Sequence, residues 1–163
     1  MSFYYNMYFF PSKIDEKKPS MNDFAHPPNS VLLNNRNQLD VSPNPIDLDD
    51  SLDRITEFFK ELRKHNISPM TAGGDHLVTL PVLRGLAKDR ALAMIHFDSH
   101  TDLFDSYFGG FKYTHGTPFR RAIEEGLLDP KKVVQIGIRG TAYNCDDIEW
   151  GEAQGVRIIR IEE

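Results

Sequence analysis

Short apolar runs alternate with helical patterns from Asp47 onwards, and this alternation restricts the fold more than any other feature of the chain. The runs span 69–74, 91–97, 133–138 and 156–161. The runs read as continuous rather than alternating hydrophobic segments, which is typical of parallel strands that are buried on both faces. The sequence therefore predicts an α/β fold with a mainly parallel sheet.

Helical patterns fill the gaps between these runs. Apolar residues recur at helical spacing from Ile46 to Leu62, with acidic residues near the start and basic residues just after the end. This arrangement predicts an amphipathic helix with charges that suit its dipole. Further helices are predicted near 79–88, 117–125 and 146–154.

The first 45 residues differ from the rest in composition. They hold six of the ten prolines and sustain no helical or strand period, apart from a short strand pattern that ends at Val41. Such a composition is typical of irregular chain. We therefore predict an irregular or divergent segment over 1–45 and a globular domain over 46–163.

Charge and hydropathy exclude several classes of function. With 40% hydrophobic residues the chain can build a core, and a net charge of -5 gives no basic field for nucleic acid or an anionic membrane. No run approaches the roughly 18 apolar residues that a membrane span needs. The opening MSFYYNMYFFPSK lacks the features of a secretory signal or a mitochondrial presequence. We expect a cytoplasmic protein with a small, cationic partner.

The third apolar run leads into the residues that carry the most chemistry. Asp98, His100 and Asp102 occupy alternate positions where the strand leaves the sheet. Alternate side chains of extended backbone share a side, so these groups can converge on one point. His76 follows the glycine pair of GGDH at the end of the preceding run, and it would emerge at the same sheet edge if the two strands are neighbours. The spacing predicts four metal ligands.

A metal-free interpretation of these residues also exists. Acidic residues and histidines are common at strand ends as caps or surface groups. Burying three of them together without a cation would be costly, which favours a metal site. Carboxylate and imidazole ligands without a thiolate suit Mn²⁺ most naturally, with Zn²⁺, Co²⁺ and Fe²⁺ as competitors.

His115 lies just before the predicted helix 117–125, in the segment KYTHGTPFRRAIEEG. A histidine at a helix entrance can cap the helix or pack against it. Beside a metal loop it can also relay a proton or contact substrate, since an amine that leaves a tetrahedral intermediate needs a general acid. His115 is therefore the candidate catalytic residue.

Three motifs in order resemble the ureohydrolases, the family of arginase and agmatinase. They are GGDH at 73–76, HFDSHTD at 96–102 and THGTPFRRA at 114–122, and they look most like agmatinases and guanidinobutyrases. The resemblance implies a three-layer α/β/α fold and a homo-oligomer. It also implies that agmatine or 4-guanidinobutanoate is hydrolysed to an amine and urea by a metal-bridging hydroxide.

The resemblance also assigns roles to individual residues. His76, Asp98 and Asp102 would bind one Mn²⁺, while Asp98 and His100 would bind a second, so that Asp98 bridges the two ions. His115 would match the active-site histidine of the family, which transfers a proton or binds substrate.

Family members continue beyond the position of Glu163 to a strand whose Ser-x-Asp-x-Asp-like motif completes both metal shells. We therefore expect a truncated chain with an incomplete site, and no motif supports Asp75, Asp105 or Glu162 as a substitute ligand. Family membership implies an amidinohydrolase and leaves the activity of this chain open. The alternative is a non-catalytic interaction or regulatory subunit. Hydrolysis of an acetylated amine is disfavoured by the GGDH and THGTPF motifs.

Overall fold

A computed structural model of the chain describes residues 8–9, 31–33, 39–41, 43–65, 67–87, 89–140 and 146–163. The chain divides into two compact units, Met1–Leu86 and Ala87–Glu163. Most of the segment 1–45 lies outside the described residues, so the predicted division at residue 45 stays a prediction. None of the helices in the described ranges has the length and apolar character to cross a membrane.

In its described residues, the first unit combines two α-helices with two small antiparallel sheets. Strand β1 (Tyr8–Phe9) pairs with β4 (Thr71–Ala72), and β2 (Val31–Leu33) pairs with β3 (Leu39–Val41). The prediction that run 69–74 joins a parallel sheet is therefore wrong. The run forms a strand of only two residues, both exposed, whereas a strand inside a parallel sheet is buried. The elements are β1 (Tyr8–Phe9), β2 (Val31–Leu33), β3 (Leu39–Val41), α1 (Leu48–Lys64), β4 (Thr71–Ala72), a 3-10 turn (His76–Val78) and α2 (Thr79–Leu86).

Helix α1 confirms the amphipathic pattern of the sequence. The Asp47 carboxylate accepts a hydrogen bond from the Asp50 backbone N–H at 3.1 Å, which caps the first turn. Acidic residues in the first turn and basic residues in the last complement the helix dipole. The apolar face is buried in a cluster with Val41, and it contributes Ile55, Phe58, Phe59 and Leu62.

Helices α1 and α2 approach closely at Gly85. A Cβ atom at this position would lie 2.3 Å from the Cβ of Phe59 and 2.8 Å from the backbone oxygen of Thr56. The Arg63 guanidinium donates a hydrogen bond to the Gly85 carbonyl at 3.0 Å. The contact between the helices therefore depends on the absence of a side chain at residue 85.

The second unit contains a three-stranded parallel sheet in the order β5 (Leu92–Phe97), β6 (Leu128–Ile138), β7 (Arg157–Arg160). This sheet with its helices confirms the predicted α/β class. Strand β6 begins five residues before the predicted position 133, because its hydrogen bonding to β5 extends back to Leu128. The elements are β5 (Leu92–Phe97), α3 (Pro118–Glu124), β6 (Leu128–Ile138), α4 (Asp146–Gln154) and β7 (Arg157–Arg160).

The two faces of β5 differ in burial. His96 is buried and its ring packs on Phe119 of α3, with 4.5 Å between the ring centroids. Ile95 and Phe97 point to the opposite face and are 69% and 75% exposed. Among the described residues, the buried face of β5 is therefore the one that carries His96.

Gly85→Ala tests the helix contact. The added methyl group overlaps Phe59 and Thr56, so we expect the variant to lose about 1–3 kcal/mol of unfolding free energy through overpacking. Chemical denaturation measures the loss. Asp53→Ala, at an exposed position of α1, is the control and should change stability by less than about 0.5 kcal/mol. Equal stability of the two variants would contradict the close contact.

Candidate metal centre

The loop that follows β5, residues 98–104, is fixed on one side by backbone hydrogen bonds to the end of β6. We call it the β5 loop. The Asp98 N–H donates to the Ile136 carbonyl at 3.2 Å. The Ser99 carbonyl accepts from the N–H groups of Arg139 and Gly140 at 2.9 and 2.7 Å. Asp98 and Ser99 therefore continue the pairing of the parallel strands for two residues beyond β5.

Helix α3 and the segment before it hold the other side of the β5 loop. The Phe119 N–H donates to the Asp102 carbonyl at 3.2 Å, and the Phe104 N–H donates to the Gly116 carbonyl at 3.1 Å. Leu103, between them, is fully buried. Both ends of the loop are thus anchored to regular structure, which limits the positions that its side chains can take.

Both oxygens of the Asp98 carboxylate have defined neighbours. Oδ1 accepts from the His100 backbone N–H at 3.0 Å and from the Ser99 hydroxyl at 3.3 Å. Oδ2 lies 3.6 Å from Nε2 of His96. The first contacts form an Asx turn, in which an aspartate side chain bonds the backbone two residues ahead. The turn keeps the carboxylate at the end of the strand.

Asp102 has a left-handed backbone conformation and lies close to His96 and Asp98. Its φ angle is +50°, in the left-handed region that aspartate tolerates better than most residues, and only 6% of the residue is exposed. His96, Asp98 and Asp102 each offer one ligand atom within 4.8 Å of the other two. The structure therefore brings together two predicted ligands, Asp98 and Asp102, and adds His96.

His100 lies beside this group and is exposed. Its Nδ1 is 3.7 Å from Oδ1 of Asp98 and 3.0 Å from the Ser99 hydroxyl. The ring lies so close to Gly140 that a Cβ atom there would be 2.2 Å from its Cδ2. His100 is thus close to Asp98 but not a member of the group that contains Asp102, and its role as a ligand stays a prediction.

His76 belongs to the first unit, where it begins the 3-10 turn. Asp75 caps that turn, since its carboxylate accepts the Leu77 N–H at 2.8 Å. The Asp75 side chain therefore has a local structural role. The prediction that His76 binds metal stays a prediction.

His115 lies in the turn that leads to α3 and is exposed. Thr117, not His115, occupies the N-cap position of the helix. The His115 ring contacts two aromatic rings, those of Tyr107 at 5.3 Å and Phe108 at 5.9 Å between centroids. The capping interpretation is excluded, whereas packing and a catalytic role stay compatible with this position.

The two carboxylates of this largely buried group fit a divalent cation. Two carboxylates as close as those of Asp98 and Asp102 repel each other unless a proton or a cation lies between them. Carboxylate oxygens are ligands of hard and borderline divalent metals such as Mn²⁺. The group is therefore a candidate metal centre on chemical grounds.

Asp105, just beyond the β5 loop, is bound to α3. The Arg121 guanidinium donates to its Oδ1 at 3.0 Å and to its backbone carbonyl at 2.9 Å. The hydrogen bond from Arg121 is the main cause that lowers the pKa of Asp105, and the positive charge of Arg120 at 3.7 Å adds to it. This carboxylate therefore anchors the loop to the helix.

Two buried polar residues of this region were missed by the sequence interpretation. His96 is 8% exposed, and Gln135, which is paired with it across the sheet, is fully buried. His96 continues the alternate spacing of Asp98 backwards by two residues, and Gln135 is the polar interruption in the apolar run VVQIGI. Both signals were present in the sequence.

A sequence model of the arginase family matches residues 9–163. The chain belongs to the arginase family. The prediction of a ureohydrolase from the three motifs is thereby confirmed. An arginase-family fold implies a binuclear metal site, and the acidic group at the end of β5 supplies ligand types that such a site needs.

Relatives in this family include enzymes named for guanidino substrates. The chain is 56% identical over 124 residues to a guanidinopropionase of Pseudomonas aeruginosa, and 42% identical over 125 residues to a guanidinobutyrase of the same organism. Each match covers 76% of this chain and 39% of the relative. The chain therefore spans about two fifths of the length of these relatives.

Solved structures of the family share the fold. The proclavaminate amidinohydrolase of Streptomyces clavuligerus superposes with a TM-score of 0.64 at 35% identity. The match covers 74% of this chain and 40% of that enzyme. The predicted arginase-like α/β fold is thus confirmed for the part of the family fold that the chain spans.

Asp105→Asn tests the anchor between Asp105 and Arg121. Because the folded-state pKa of Asp105 is lowered, its stabilising effect is present above the unfolded value near 3.8 and is lost as the pH falls through the folded-state pKa. We expect wild type to have a higher melting temperature than the variant at pH 6, and we expect the difference between the two melting temperatures to be smaller at pH 3. Thermal denaturation measures both.

Glu152→Gln is the matched control, since it removes an exposed carboxylate on α4 of the same unit. A gap between wild type and Asp105→Asn that stays constant from pH 6 to pH 3 would contradict the ion-pair explanation.

Proposed function

We propose that the chain carries part of the active site of a metal-dependent hydrolase of small guanidino compounds. The observation that carries the proposal is the convergence of the Asp98 and Asp102 carboxylates at the carboxyl end of β5, beside the buried ring of His96. Ligands of α/β proteins collect at this edge of a parallel sheet. Membership of the arginase family, whose relatives include a guanidinopropionase and a guanidinobutyrase, supports the reaction class.

Two Mn²⁺ ions are the proposed cofactor. The residues that would hold them are the predicted ligands Asp98, Asp102, His100 and His76. The donor chemistry supports a hard or borderline metal, since the proposed ligands are carboxylates and imidazoles. When bound, the metal pair would supply the reaction with a nucleophile by acidifying water, and it would polarise the substrate.

The proposed reaction is balanced without a further reactant. Water adds to the guanidinium carbon, the bond from this carbon to the substituted nitrogen breaks, and urea and a protonated amine are released. Because the leaving nitrogen must gain a proton, a general acid is needed. We assign this role to His115, which is exposed at the entrance of α3 and held by the rings of Tyr107 and Phe108.

An ω-guanidino acid is the proposed substrate class. The chain is 56% identical to the guanidinopropionase and 42% identical to the guanidinobutyrase over segments of nearly equal length. We therefore rank 3-guanidinopropionate first and 4-guanidinobutanoate second, with agmatine behind them. The homo-oligomeric state and the cytoplasmic location stay predictions.

Metal binding and turnover test the proposal separately. The free Mn²⁺ signal in electron paramagnetic resonance reports binding to the purified chain, and urea release from 3-guanidinopropionate, 4-guanidinobutanoate, agmatine and arginine reports turnover. We expect Asp98→Ala to lower Mn²⁺ affinity at least about 10-fold, because it removes a proposed ligand carboxylate. Asp129→Ala, on β6, is the control for the loss of one negative charge.

Each outcome decides a different part of the proposal. Mn²⁺ binding with urea release from a guanidino acid supports all of it. Mn²⁺ binding without turnover of any substrate supports the metal centre and favours the alternative, a non-catalytic subunit. Affinity that is equal in wild type, Asp98→Ala and Asp129→Ala would exclude Asp98 as a ligand.

A further inference from the structure

His96 and Gln135 form a buried polar pair directly beneath the candidate metal centre. They are register partners on the neighbouring strands β5 and β6, and Nε2 of Gln135 lies 3.2 Å from Nδ1 of His96. The same amide nitrogen donates to the Thr101 carbonyl in the β5 loop at 2.6 Å. The Gln135 amide thus contacts both the strand and the loop that carry the ligands.

The Thr101 carbonyl fixes the orientation of the Gln135 amide. A backbone carbonyl can only accept a hydrogen bond, so the amide group that faces it at 2.6 Å must be the NH₂. Rotating the amide would place two oxygens against each other at this distance. The observed orientation is kept although Oε1 of Gln135 is buried and has no hydrogen-bond partner among the described residues.

The orientation of the amide in turn selects the tautomer of His96. The second N–H of the Gln135 amide points to Nδ1 of His96, so Nδ1 must accept. A ring that accepts at Nδ1 carries its proton on Nε2. This nitrogen is the one that faces Oδ2 of Asp98, at 3.6 Å. The protonated side of the ring is therefore presented to the carboxylate.

We propose that His96 is a positioning residue that presents an Nε2–H to the Asp98 carboxylate, and that Gln135 sets this tautomer. The proposal rests on the proposed function, in which Asp98 is a metal ligand. It also predicts that His96 does not bind metal itself, although its Nε2 lies 3.6 Å from Oδ2 of Asp98, because a ring nitrogen that carries a proton has no lone pair to donate.

The surroundings of His96 support a positioning role. The residue is 8% exposed, and its ring packs edge-on against Phe119, which is 1% exposed. The ring is thereby held on three sides, by the strand, by Phe119 and by Gln135. Oδ1 of Asp98 is held separately by the Asx turn, and Oδ2 is the oxygen that lies 3.6 Å from Nε2 of His96.

The tautomer can be measured in the unmutated, metal-free chain. Long-range proton–nitrogen correlation spectra of protein labelled with ¹⁵N-histidine show which ring nitrogen carries the proton, and loss of one signal set in His96→Gln assigns His96 among the six histidines. We expect an Nε2–H tautomer. An Nδ1–H tautomer would overturn the proposal, whatever the metal affinity of the chain.

Two isosteric substitutions test the effect on the metal. The amide of a glutamine at position 96 reaches the place of Nε2 and can still donate to Asp98, whereas the amide of an asparagine reaches only the place of Nδ1. We expect Mn²⁺ affinity to fall about 10- to 100-fold in His96→Asn and to stay within about threefold of wild type in His96→Gln. Circular dichroism checks that both variants are folded.

The outcomes separate this inference from the proposed function. If wild type binds Mn²⁺ and both variants lose affinity equally, His96 is a ligand and the positioning role is wrong. If His96→Asn binds like wild type, the contact with Asp98 has no role. If wild type binds no Mn²⁺, the proposed metal centre fails, and the tautomer of His96 alone then decides whether Gln135 orients the ring.

Discussion

The hydrogen bonds between the β5 loop and the end of β6 are the constraint on which the candidate site depends. The Ser99 carbonyl accepts two backbone N–H groups from the neighbouring strand end. These bonds extend the parallel pairing past the last residue of β5, so the direction of Asp98 is set by the sheet. On the other side, the Phe119 N–H holds the Asp102 carbonyl. A loop that carries several charged groups is thus fixed by neutral backbone contacts.

Because the β5 loop is anchored on both sides, the carboxylates of Asp98 and Asp102 stay close together although they repel each other. Asp98 and Asp102 lie within the reach of one cation, and their mutual repulsion is the reason that the site suits one. Asp105 follows these residues in the chain, but its carboxylate is bound by Arg121 of α3. This contact connects the end of the β5 loop to the helix. Carboxylates that lie close together in the sequence therefore have different roles, which follow from the partner that each one contacts.

Local patterns in the sequence were sufficient for most of the elements. Helix α1 follows from its apolar spacing and its Asp47 cap, and β5, α3, α4 and β7 were predicted to within a few residues. The run at 69–74 could not be predicted correctly, because a short apolar run does not show which strand it pairs with. The exposure of Ile95 and Phe97 could not be predicted from the sequence either, because the burial of a strand face depends on what packs against it.

The sequence by itself determined the family and the ligand types, because GGDH, HFDSHTD and THGTPF are contiguous motifs whose chemistry does not depend on distant residues. The tertiary structure decided which of these side chains meet. Gln135 is separated from His96 by 39 positions, and only the register of β5 with β6 places the two together under Asp98. Pairing between strands is a long-range property, and for that reason the residues that orient a ligand were found only in the folded chain.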